Sequence, residues 1–267
     1  MSLDALDDIR SQIQRAEKHI NDFRAEVELF RATNPYRIAS QPNLQASHII
    51  YDVLKADAIP PPIPAVAGDV LQNLRTALDY LACSLVPGCR QNLSEHIYFP
   101  ILKKAPTPDQ INTAFDGKVK GASEEAINKI ASLKPYKGGD DVLWRLHMLN
   151  NIHKHRLLIA VQASTSLIVP LKRPIRLGID EPAEVEQILA DTLIPVQGGF
   201  PLKQGGQLFV DSLLVKPDNN VQFLVEIAVN ERGISEGRTL IKILKESLRR
   251  VSKIVSEFIP LIASSKC

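Results

Sequence analysis

The first 33 residues carry the pattern that most constrains the fold. Leu6, Ile9, Ile13, Ala16, Ile20, Phe23, Val27 and Phe30 recur at spacings of three and four. At 3.6 residues per turn this spacing forms one narrow apolar seam on a helix. Asn34-Pro35 ends the run, because a residue before proline is pushed out of the α region. Packing inside the chain's own domain is the favoured way to cover the seam, ahead of a dimer zipper. A matching stripe near the other end supplies a partner: Leu240, Leu244, Leu248, Val251, Val255, Phe258 and Ile262. The first helix is net acidic. The last carries Arg238, Lys242, Lys245, Arg249, Arg250 and Lys253 against Glu246 and Glu257. The two terminal helices are therefore expected to pack together, with each exposed ion pair contributing under about 1 kcal/mol.

Between them the texture changes several times. Gln41-Pro42-Asn43 separates two β-like stretches and predicts a hairpin. "IPPPIPAVAGD", residues 59–69, reads as a stiff, extended connector. A helix with Asp69 near its start follows, and Pro87-Gly88 closes it. Residues 90–122 read as loop and short pieces. Ser123 is a good N-cap, with Glu124 and Glu125 at the positive end of the helix dipole. A further helix begins near Asp140 or Asp141. From Leu157 the chain is β-rich. Val221, Phe223, Val225, Ile227 and Val229 alternate with polar residues, and "KPDNN" before them reads as a turn. This order predicts an α+β fold: a helical bundle with long N- and C-terminal helices, plus an antiparallel β-rich segment. It reads as a single domain, with a helical part at 1–156 and 239–263, a hairpin near 36–57 and a β-rich part at 157–231.

Composition excludes more than it selects. Thirty-two basic against 30 acidic residues give a net charge of +2, without the global basic footprint of a nucleic-acid binder. Three cysteines with no C-x-x-C spacing argue against a disulfide framework and a zinc ribbon, and Cys83 reads as a small core residue. The acidic start lacks a secretory h-region, and no apolar run reaches membrane-spanning length. A cytoplasmic protein with no membrane partner is the resulting expectation. P-loop, dinucleotide, nucleophile-elbow and kinase signatures are missing.

Two polar boxes carry the candidate chemistry. "GDVLQNLRTALDYLA", residues 68–82, has an apolar face and a stripe with Asp69, Asn73, Thr76, Arg75 and Asp79. Arg75 and Asp79 are i and i+4 neighbours, the spacing of an intrahelical ion pair. "LNNIHKHRLLIA", residues 149–160, follows His147. His147, Asn151 and His155 share one helical face, and Lys154-His155-Arg156 falls where a basic last turn complements the dipole. His147 and His155 are about 12 Å apart along a helix axis, too far to share one zinc. No metal and no cofactor are expected.

The two boxes together resemble an uncharacterised bacterial protein family, in which a GD-x3-NLR-x-ALD helix precedes an L-x-x-L-x4-KHR helix. The resemblance covers roughly residues 36–160 and implies no activity. The chain departs from the pattern at His153, where an acidic residue is usual, and at Tyr80, where histidine is usual. More distantly, Asn, Arg and His on facing helices resemble the HEPN domains, many of which are metal-independent ribonucleases or toxin-like defence proteins. Their Arg-x4–6-His signature fits Arg90–His96, within residues read as loop.

Two functions follow as expectations. The favoured one is a non-catalytic binding domain in which Asp69, Asn73, Asp79, Asn150 and Lys154 form a polar network. Its partner would be a protein or a small ligand. The alternative is a HEPN-like ribonuclease, for which RNA is the partner and a homodimer the implied assembly. His155 or His153 would then be the base, and Arg156 or Arg75 the cation at the developing phosphorane.

Overall fold

The computed structural model describes residues 2–41, 48–90, 97–107, 110–158, 160–176, 184–211, 222–235 and 238–264. The fold is α+β; the described residues form six helices and six strands in the order α1 (Ser2–Ala32), β1 (Tyr36–Gln41), β2 (His48–Ala56), α2 (Pro62–Ser84), α3 (Ile111–Asp116), α4 (Glu124–Ser132), α5 (Asp141–His153), β3 (Ala160–Arg176), β4 (Glu184–Pro195), β5 (Gln207–Asp211), β6 (Gln222–Val229) and α6 (Leu240–Ser264). The chain forms two compact units. One comprises Met1–Glu28, Pro60–Ile159 and Glu231–Cys267, and the other Leu29–Ile59 and Ala160–Asn230.

The helical unit is built on α2. This helix begins inside the proline run, so residues 62–69 are helical and not an extended connector. The reason is local: Pro61 is the N-cap and Pro62 opens the first turn, where the amide hydrogens have no intrahelical acceptor and a fixed φ near −65° suits the helix. Ile63, Ala67, Val70, Leu71, Leu74, Leu78 and Leu81 are fully buried along it. α2 packs against α5 and α6, which also pack on each other. Phe99 and Phe258 meet edge to face at 6.5 Å.

Helix ends follow the expected chemistry. Ser123 accepts from the Ala126 amide to cap α4, and Asp140 accepts from the Leu143 amide to cap α5. Arg250 of α6 reaches the same Asp140 carboxylate. The seam of α1 is buried at Ile9, Ala16, Ile20 and Phe23.

Asp8 of α1 pairs with Arg90, and Arg250 of α6 pairs with Asp140. Cysteine usage needs correction. Cys83 is not a reduced core thiol but is bonded to Cys89, with the two Cα atoms 5.5 Å apart. The turn between Leu85 and Cys89 folds the chain back onto the end of α2 and brings the sulfurs together, something no spacing rule registers.

The second unit holds two three-stranded antiparallel sheets, ordered β1-β2-β5 and β4-β3-β6. The hairpin is present, with a register shift between Arg37 and Ile38. Its Pro42-Asn43 turn and the "KPDNN" turn lie outside the described residues. Tyr51, Val53, Leu202, Leu208, Val210 and Val225 form the core of this unit, and Phe223 meets Tyr51 at 4.9 Å. In β6, Val225, Ile227 and Val229 are buried, as the alternation predicts. β4 is an addition, since "EVEQILADTLIP" has no clean two-residue period to announce a strand.

Candidate functional site

The first polar box meets the second where α2 passes the end of α5. Gly68 of α2 faces the imidazole of His153 at the end of α5, and a Cβ atom built on Gly68 would fall on that ring. The glycine allows the two helices to approach, and His153 acts there as a packing group. Its Nδ1 is buried without a hydrogen-bond partner.

Farther along α2, Arg75 is buried. Its Nη2 donates to Asp79 Oδ1 at 2.7 Å and to the Phe99 carbonyl at 2.7 Å. The same Asp79 oxygen accepts from the Phe99 amide at 3.0 Å. One ion pair thus fixes both backbone groups of Phe99, and with them the strand-like stretch that walls the site. Burial lowers the Arg75 pKa and raises that of Asp79, while each partner's charge opposes the shift in the other. Arg75 Nη1 remains buried and unpartnered.

Beside this pair lies a cleft of about 310 Å³, lined by Arg75, Asp79, Tyr98, Phe99, Pro100, Ile101, Lys118, His147, Asn151 and Lys154. This volume is at the lower end of the range for small-molecule sites. Asn151 Nδ2 lies 3.0 Å from His147 Nε2 and donates to it when the ring is neutral, which leaves the ring hydrogen on Nδ1. That Nδ1 is buried and has no partner. Burial, then the charges of Arg75, Lys154, Lys103 and Lys118, push the His147 pKa down to about 4. The ring is therefore neutral at physiological pH.

The expected site residues separate into several groups. Arg75, Asp79 and Lys154 line the cleft. Lys154 is also the C-cap of α5. Asp69 and Asn73 sit together on the surface side of α2, where Asn73 Nδ2 donates to the Asp69 carbonyl. Asn150 is fully buried, and neither of its amide atoms has a partner. His155 lies beyond the end of α5 and, with Met148, Asn151, Ile152 and Arg156, lines a second, more apolar depression. Arg156 is held by Glu231 in a two-point fork, at 2.9 and 2.8 Å. Arg90 is paired with Asp8, and His96 lies outside the described residues.

Sequence reasoning missed His147 and Lys118 as site members. His147 had a readable signal, because its i, i+4 spacing from Asn151 aims both along one face of the helix that carries the second box. Lys118 had none, since it arrives from the segment after α3. Among the described residues, no three His, Cys, Asp or Glu side chains converge as metal ligands would. No helix among them is long and apolar enough to cross a membrane. No family model, curated protein or solved structure matches the chain.

Proposed function

We propose that this protein is a non-catalytic binding domain whose α2–α5 cleft takes a small anionic ligand. One observation carries the reading: Arg75, Lys118 and Lys154 converge on a cleft in which Asp79 is the only acid among the described lining residues. The fixed charge there is net positive while His147 is neutral. Enclosed positive charge with low-dielectric walls raises the local concentration of anions.

The geometry favours binding over ribonuclease chemistry. A general base works best with a pKa near the operating pH, and His147 titrates at about 4. His153 is packed on Gly68, and Arg156 is occupied by Glu231.

The test is a panel of small anions, read by thermal shift and by amide chemical shifts. Saturable stabilisation is expected, centred on residues 75–79, 98–101 and 147–154. It should weaken at least tenfold in the Lys118→Met, Lys154→Met double variant. A panel that leaves both readouts unmoved overturns the reading. So does RNA cleavage in EDTA that is lost in His155→Ala while the fold persists.

A further inference from the structure

We propose that the anion taken by the α2–α5 cleft is a tetrahedral dianion, a phosphate-type group, and that His147 gains a proton as the anion binds. This rests on the reading of the cleft as an anion site.

The charge balance gives the class. Among the described lining residues, with His147 neutral, Arg75, Lys118 and Lys154 against Asp79 leave two net positive charges around the cleft. A dianion offsets more of this charge than a single carboxylate does. Three cationic side chains also suit an anion with three free oxygens, whereas a carboxylate offers two.

The coupling follows from what surrounds the imidazole. The charged groups acting on His147 are Arg75 from α2, Lys154 from α5, Lys103 from the stretch after Phe99 and Lys118 from the segment after α3; Asn151 of α5 bonds the ring, and Asp79 of α2 lines the same cleft. Tyr98 also lines the cleft. Burial opposes the imidazolium most, followed by the four cations. A bound dianion cancels the cationic field, which favours the protonated ring. The proton comes from solvent and adds to Nε2. Asn151 then presents its amide oxygen to Nε2–H in place of its NH2 group, a half-turn about the last side-chain bond. No covalent bond of the ligand forms or breaks.

Sulfate is the cleanest probe, because it stays a dianion from about pH 5 to pH 8 while the histidine titrates. The full-length protein should bind sulfate more tightly as pH falls, by up to about tenfold per pH unit. Imidazole resonances of His147 should titrate at higher pH in the sulfate-saturated protein than in the free protein. His147→Gln should remove the pH slope, and Asn151→Asp should move the titration of the free protein upward. Acetate at equal ionic strength should bind at least tenfold more weakly. Comparing inorganic phosphate with a phosphate monoester such as glycerol phosphate separates a free anion from a ligand's terminal group as the natural occupant. If sulfate binds with no pH slope and no shift in the His147 titration, or if acetate binds as well, this inference fails while the anion-site reading stands. If no anion binds, both fail.

Discussion

Gly68 shows how one missing side chain can set a helix crossing. A methyl group there meets the His153 ring, so Gly68→Ala must move either the imidazole or the helix. Overpacking of this kind costs about 1–3 kcal/mol. In a His153→Ala background the same substitution should cost far less. A double-mutant cycle read by chemical denaturation should give a coupling above about 0.5 kcal/mol. Additive effects would mean that the ring has room to swing away.

His147 makes a separate, pH-dependent prediction. Its folded pKa of about 4 lies below the ordinary value of 6.5, so the unfolded chain binds the proton more readily. The stability this group confers is complete above about pH 6.5 and is lost as pH falls toward 4. Allowing for partial solvent screening, the loss is on the order of 1–2 kcal/mol. Melting temperature measured against pH should fall through that window, and less steeply in His147→Gln. An unchanged slope in the variant would assign the acid sensitivity elsewhere.

At the scale of elements, the caps of α4 and α5, the hairpin and the buried face of β6 were legible because each rests on local chemistry. Ser123 and Asp140 bond amides three residues ahead, and period-two burial needs only neighbours in the chain. The failures were also local rules, applied where another rule wins. Prolines at 61 and 62 open a helix as readily as they extend a chain. The Arg75–Asp79 pair was legible from its spacing. Its grip on Phe99 was not, because 20 residues separate the carboxylate from the amide it accepts from.

The Cys83–Cys89 bridge was equally hidden, and it is directly measurable. Denatured without reductant, the chain should show one free thiol of its three cysteines, and after reduction three. The chain-entropy model gives so short a loop about 2 kcal/mol of stabilisation. Cys83→Ser with Cys89→Ser should lower stability by that order, and three free thiols before reduction would dismiss the bridge.

At the scale of the whole molecule, neither compact unit is one continuous stretch of chain. The helical unit draws on three segments and the strand-bearing unit on two, and α6 comes from the last of the three. α2 and α5 bury apolar faces against α6, so they lack part of their cover until Leu240–Ser264 exists. A chain ending at residue 230 should keep the β-sheet signature in circular dichroism and lose cooperative melting of its helices. Cooperative, parent-like melting of that fragment would show that α2 and α5 hold each other without α6.

A discontinuous unit also has an order of manufacture. A ribosome reading from the N-terminus delivers every strand of the sheet-bearing unit before it has made α6. At about 5–20 residues per second, α2 waits roughly 10–35 seconds for its partner to be completed. During that interval the apolar face of α2 lacks the part of its cover that α6 supplies. The vulnerable species of this protein is thus a nascent chain with finished sheets and an open helical face, and there a chaperone would have the most to hold.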